Sequence, residues 1–186
     1  MKPNQLTTIR LGLILPILIS QQINTTISLI VCFALVICHE ILDIADGRLA
    51  RSTRQVTDFG KLYDPFVDSL CRFALFLGFF GSGWGVSLWM VYTLFARDIT
   101  VAYVRVYAAH SGVIVAARWS GKYIKAIPQV LAQLVVLSAH LLKTRYPQLP
   151  AEQITYWSVF VATIFTAASG LDYICSVGKT INKRTH

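Results

Sequence analysis

The sequence predicts an all-α integral membrane protein: six transmembrane helices with a polar cavity facing the cytoplasm, and an N-terminal segment lying partly in the membrane interface. Three observations predict it. Apolar residues make up 55% of the 186-residue chain, and mean hydropathy is +0.57. Charged residues make up only 14%, against roughly 25% in a soluble domain, so much of the surface must face lipid. The apolar residues also gather in runs close to the ~20 residues that cross a hydrocarbon core as a helix. The length suits one domain over residues 1–186.

The runs are roughly Leu6–Gln21, Thr25–Leu42, Tyr63–Gly81, Val86–Ala108, Tyr123–Leu142 and Ile154–Val177. The first is short, and its start is expected to lie along the membrane surface. No small-x-small cleavage site follows Leu11–Ile19, so this run is read as a retained helix. Breakers separate several runs: Gln22-Ile23-Asn24, then Gly81-Ser82-Gly83-Trp84-Gly85, then the stretch from Pro147 to Pro150. Trp84, Trp89, Tyr156 and Trp157 fall near helix ends and read as interface belts.

The net charge is +8. Lys and Arg punctuate the apolar runs instead of covering a water-facing surface, which argues against a nucleic-acid partner. An even number of helices puts both termini on one side. That side receives Lys2 and Arg10; Arg48, Arg51, Arg54 and Lys61; Arg118, Lys122 and Lys125; and Lys179, Lys183 and Arg184. The other side receives only Lys143 and Arg145. Positive-inside asymmetry therefore assigns both termini, and the second and fourth connections, to the cytoplasm. Cys32, Cys38, Cys71 and Cys175 lack metal-type spacing and read as small core or lipid-facing residues.

The informative chemistry lies where the second run ends and the third begins. Asp43 and Asp46 are three apart, and Asp64 and Asp68 are four apart, so each pair shares one helical face. Two antiparallel helices joined by a short loop can aim all four carboxylates at one spot. Such a cluster needs neutralising cations, and near a bilayer it marks a functional site. Oxygen donors without a Cys/His cluster suit hard divalent ions, Mg²⁺, Mn²⁺ or Ca²⁺, and four carboxylates accommodate two of them. Gly47 and Ala50 leave room for a flat ligand beside the helix, and Gly60 gives similar clearance one turn before Asp64. Arg51, one turn after Gly47, can fork onto phosphate oxygens, and Thr57 can donate a hydroxyl. Interfacial aspartates paired with local arginines would explain any one of these carboxylates, but not all four at helical spacing.

The stretch Asp43-x2-Asp46-Gly47-x2-Ala50-Arg51-x8-Gly60-x3-Asp64-x3-Asp68 resembles the signature of the CDP-alcohol phosphatidyltransferase family. At typical residue usage it would arise by chance at roughly one start in 10^10. The chain is similar along its length to the branch whose acceptor is glycerol 3-phosphate, through Asn4 to Leu11, Gln55 to Lys61, Asp64-Pro65, Ala96-Arg97-Asp98, Gly121-Lys122 and Ser169 to Tyr173. It departs from that branch at Tyr63, at Tyr123-Ile-Lys125-Ala, and after the fourth aspartate. A basic residue commonly stands there; this chain has Ser69, with Arg72 one turn later.

The resemblance implies a six-helix fold with a lipid-open, cytoplasm-facing cavity, and a homodimer. It implies divalent metals, Mg²⁺ or Mn²⁺, held by Asp43, Asp46, Asp64 and Asp68, with Asp68 as general base. Gly47, Ala50, Arg51 and Gly60 match positions that cradle cytidine diphosphate. The expected reaction moves the phosphatidyl group of CDP-diacylglycerol onto glycerol 3-phosphate and releases CMP. Inositol, inositol phosphate or serine are rival acceptors, and a divalent-cation transporter is the rival outside the family. A phosphorylated acceptor needs cations, for which Arg97, Arg105, Arg118, Lys122 and Lys125 are candidates. Arg118, Lys122 and Lys125 also fit simple cytoplasmic anchoring, Arg105 fits snorkelling, and Arg97 fits an ion pair with Asp98. His39 and Glu40 read as interfacial residues or as tuners of the metal site. His110 and His140 read as lone histidines without a ligand role.

Overall fold

The structure is a computed structural model. It describes the backbone of residues 3–52, 58–110 and 119–182, and the side chains of residues 6–45, 63–108, 110 and 126–180. Six helices follow one another: α1 (Pro3–Ile23), α2 (Thr26–Ser52), α3 (Asp58–Gly81), α4 (Leu88–His110), α5 (Trp119–Arg145) and α6 (Ala151–Asn182). No strand occurs among the described residues.

The turns explain where the helices stop. Asn24 takes a φ of 50°, a left-handed conformation that asparagine tolerates. Thr25 then caps α2 reciprocally with Ser28: the Thr25 amide donates to Ser28 Oγ at 2.8 Å, and the Ser28 amide donates to Thr25 Oγ1 at 3.2 Å. Between α3 and α4, Gly83 and Gly85 take φ of 70° and 85°. A Cβ on Gly85 would also lie 2.5 Å from the Glu152 carbonyl oxygen of α6. Gly85→Val is therefore expected to destabilise the fold by about 1–3 kcal/mol from backbone strain alone, read as a lowered unfolding temperature of the purified protein. At the same end, Lys143 in the last turn of α5 pairs with Glu152 in the first turn of α6, each charge placed where the helix dipole favours it.

Each helix packs against two neighbours, and the pairings close a ring in the order α1, α2, α5, α6, α4, α3 and back to α1. Outside the ring, large apolar side chains lie open on all six helices, among them Leu15, Ile27, Phe66, Tyr92, Leu131 and Trp157, as a lipid-facing surface requires. α1, α2, α5 and α6 carry stretches long and apolar enough to cross a membrane. α3 and α4 run beside them at similar length, but Asp64, Asp68 and Arg72 interrupt one, and Arg97, Asp98 and Arg105 the other. The charges that make these two helices poor membrane spans supply much of the polar interior.

In the interior Ile17, Leu29, Val36, Phe76, Phe79, Met90, Leu137 and Val159 form one apolar cluster. Trp84 belongs to this cluster and not to an interfacial belt, because the Gly83–Gly85 turn folds it inward. It is 2% exposed and stacks between Phe79, at 5.6 Å, and His140, at 4.2 Å. Trp89 and Trp157 do face outward. Polar side chains are buried at both ends: Gln21, Ser28, His140 and Thr155 near the α1–α2 and α5–α6 turns, and Thr7, Arg10, His39 and Arg72, the buried charges among them, toward the α2–α3 end. All four cysteines are free; Cys32 and Cys71 are buried, and Cys38 and Cys175 are exposed.

Candidate active site

α2 continues to Ser52 and α3 starts at Asp58, so most of the signature is helical. Asp43, Asp46, Gly47, Ala50 and Arg51 lie on the last turns of α2, and Gly60, Asp64 and Asp68 on the first turns of α3. The side chains of Asp46, Ala50 and Arg51 lie outside the described set, as do those of Lys122 and Lys125 on α5; Thr57 and Arg118 lie outside the described residues.

The described aspartates meet on α1. Arg10 Nη1 lies 2.7 Å from Asp43 Oδ1, and its Nη2 lies 3.4 Å from Asp68 Oδ1. One guanidinium therefore joins the carboxylates of α2 and α3. One turn earlier, Thr7 Oγ1 donates to Asp64 Oδ1 at 2.8 Å. One turn after Asp68, Arg72 Nη1 binds Asp68 Oδ2 at 2.7 Å. Arg10 is 1% exposed, while the Asp43 side chain is 37% exposed and that of Asp68 22% exposed. The cations are thus locked inside, and the carboxylates form the accessible rim.

Arg10 corrects the sequence reading, which counted it with the anchoring charges. Its partners lie on other helices, so no local pattern announces them. The available signal was the three-residue spacing of Thr7 and Arg10, which puts both on one face of α1. Arg72 was visible as a basic residue one turn from Asp68, but its burial was not.

Around this centre the polar chain continues. His39, 1% exposed, sits one turn before Asp43, with Nδ1 3.6 Å from Glu40 Oε1. On α4, Arg97 Nη1 binds Asp98 Oδ1 at 3.1 Å, and Nη2 donates to Ser169 Oγ of α6 at 2.9 Å. Gly170 allows this approach, since a Cβ there would lie 2.8 Å from Arg97 Cγ. Arg105 is exposed two turns further along α4. Ser69, Arg72, Asp98 and Gln129, together with Phe73, Phe76, Leu94 and Phe95, line a small, largely apolar space of about 10 Å³ between α3, α4 and α5.

No three His, Cys, Asp or Glu among the described residues group closely enough to hold a metal. The chemistry of the donors nonetheless fits hard divalent ions. Asp43 and Asp68 offer carboxylate oxygens brought within reach of a single guanidinium, without competing thiolates.

A family model described as CDP-alcohol phosphatidyltransferase matches residues 1–168. The chain belongs to the CDP-alcohol phosphatidyltransferase family. It is 34% identical over 131 residues to the CDP-diacylglycerol–glycerol-3-phosphate 3-phosphatidyltransferase of Bacillus subtilis (strain 168), a match covering 70% of this chain and 65% of that protein. A protein of the same name from Mycoplasma genitalium is 34% identical over 111 residues, covering 59% of this chain and 46% of the relative. The one from Pectobacterium atrosepticum is 28% identical over 176 residues, 92% of each chain. The chain thus spans less than two thirds of the first two relatives, and nearly all of the third. The four long apolar helices among the described residues fit an integral membrane protein.

Proposed function

We propose that this chain is a phosphatidylglycerophosphate synthase, transferring the phosphatidyl group of CDP-diacylglycerol to glycerol 3-phosphate with release of CMP. The observation that carries the reading is the junction of Asp43, Asp64 and Asp68 with Thr7, Arg10 and Arg72, at the ends of α2 and α3 where the family signature runs. The relatives named for glycerol 3-phosphate support the acceptor.

The acceptor hydroxyl attacks the phosphorus that bears diacylglycerol. The bond from that phosphorus to the bridging oxygen breaks, and CMP leaves carrying the oxygen. Asp68 accepts the hydroxyl proton, and the contacts from Arg10 and Arg72 fix its orientation. Asp43, Asp46, Asp64 and Asp68 would hold divalent ions, two Mg²⁺ or Mn²⁺, which when bound supply charge withdrawal from the diphosphate. Gly47, Ala50 and Gly60 give the nucleotide clearance, Arg51 binds its phosphates, and Thr57 adds a hydroxyl. Arg105, Arg118, Lys122 and Lys125 are the cations best placed in the sequence to receive the acceptor's phosphate. Arg97 commits its guanidinium to Asp98 and Ser169 and contributes by ordering that wall. The excess of Lys and Arg on one set of connections supports a cytoplasmic site and cytoplasmic termini in a bacterial-type inner membrane, and the family resemblance supports a homodimer.

The test is an acceptor screen. Purified protein is given labelled CDP-diacylglycerol with glycerol 3-phosphate, inositol, inositol phosphate or serine, and CMP release is followed. Turnover is expected with glycerol 3-phosphate alone. Product from inositol only would overturn the acceptor, and metal flux in liposomes without CMP release would favour a transporter.

A further inference from the structure

We infer that Gln129 is a positioning residue for the transfer: reaching across the ring from α5, its amide oxygen orients Arg72 of α3, and through Arg72 the Asp68 carboxylate. The inference rests on the reading just given, in which Asp68 accepts the proton of the attacking hydroxyl.

The orientation of the Gln129 amide follows from its neighbour on α6. Thr166 donates its one hydroxyl hydrogen to the Ala162 carbonyl at 2.7 Å, so its oxygen is left to accept. The Gln129 amide nitrogen fills that role, with Nε2 donating to Thr166 Oγ1 at 2.9 Å. The amide oxygen is thereby turned away from Thr166. Gln129 is 2% exposed and Thr166 fully buried, so bulk water does not compete for this pairing.

Arg72 presents the matching donor. Its Nη1 donates to Asp68 Oδ2 at 2.7 Å. Its Nε is buried with no hydrogen-bond partner among the described residues, and Gln129 Oε1 is buried in the same condition. One atom is a donor and the other an acceptor, and their two residues border a single space of about 10 Å³. That is about the room one water needs when polar groups hold it. A water there accepts from Arg72 Nε–H and donates to Gln129 Oε1. Phe73, Phe76, Leu94 and Phe95 make the rest of the surroundings largely apolar, where a donor left without an acceptor is costly. Ser69 and Asp98 also border the space, and one Asp98 oxygen is tied to Arg97 Nη1 at 3.1 Å.

The link crosses the interior, because α3 and α5 are not neighbours in the ring order. Gln129 therefore braces Arg72 from the side away from Asp68, and a guanidinium held at two edges keeps its fork aimed at the carboxylate. Misplacing a catalytic group by an ångström can lower a rate about 100-fold, so the brace is felt in turnover more than in substrate binding.

The experiment is a double-mutant cycle on purified protein, read as steady-state CMP release with the acceptor that gives turnover. Gln129→Met keeps the length of the side chain and removes both polar atoms. It is expected to lower kcat roughly 10–100-fold, with KM for donor and acceptor changed by less than about twofold. Gln129→Glu, which keeps an oxygen for Arg72, should recover most of the loss. In an Arg72→Met background, Gln129→Met should lower kcat by less than about twofold further, because residues that act through one another are not additive. A purely structural Gln129 would lower kcat by the same factor in both backgrounds, and that result overturns the inference. So does an unchanged kcat in Gln129→Met, or a Gln129→Glu as defective as Gln129→Met. If Gln129→Met fails to fold, Thr166→Val carries the test: it frees the amide without removing it, and should lower kcat only where Arg72 is present. An equal effect of Thr166→Val in both backgrounds, or none in either, again overturns the inference. Wild type that releases no CMP with any acceptor sinks the transferase reading and this inference together, whereas active wild type with additive variants sinks the inference alone.

Discussion

Asp68→Asn is expected to lower turnover by about 10²–10⁴-fold, the range lost when a positioned general base is removed. The substitution preserves size and leaves an oxygen for Arg10 or Arg72, whose contacts with Asp68 lie at 3.4 and 2.7 Å. It deletes the negative charge and the capacity to take a proton. A steady-state assay of CMP release, with Mn²⁺ held at saturation, separates the two losses. If the defect persists at saturating Mn²⁺, the proton-accepting role stands. If saturating metal restores near-normal turnover, Asp68 serves only as a ligand and the base lies elsewhere. Protein folding is followed in parallel by thermal unfolding, because Asp68 also joins α3 to α1.

Arg10→Ala is expected to have the largest effect on stability. The side chain is 1% exposed and is the tie between Asp43 of α2 and Asp68 of α3. Its loss leaves two carboxylates facing each other at a helix junction, and because both are partly open to solvent the cost is expected below the ~3–5 kcal/mol of a fully buried pair. The truncation also empties the volume of the largest fully buried side chain among the described residues. The expected outcome is a sharply lower unfolding temperature in the absence of metal, partly recovered by millimolar Mn²⁺, because an external cation then replaces the lost internal one. A variant as stable as wild type without metal would show that Arg10 is not what neutralises the pair. Recovery by Mg²⁺ and Mn²⁺, but not by equal ionic strength of monovalent salt, distinguishes occupancy of the site from general screening.

The two predictions concern the same few ångströms, yet they were unequally legible in the sequence. Asp43, Asp64 and Asp68 could be read because their information is local. Carboxylates three or four residues apart share a helix face, and carboxylates in an apolar chain demand a reason. Arg10 could not be read. It is a lone basic residue near a terminus, a position that equally suits anchoring, and it acquires its role from Asp68, 58 residues away. Trp84 was misplaced for a related reason. Beside a glycine-rich turn it looks like an interfacial aromatic, and only the inward fold of that turn onto Phe79 and His140 buries it.

The number of helices, their approximate limits and their membrane setting were determined by the sequence alone, because hydropathy over some twenty residues and turn chemistry act within each segment. The tertiary structure decided the ring order of the helices and the pairing of Arg10 and Arg72 with the aspartates. The physical reason is that a buried charge is tolerated only beside its compensating partner. That partner stands on another helix for Arg10, so its assignment waits until the helices have packed.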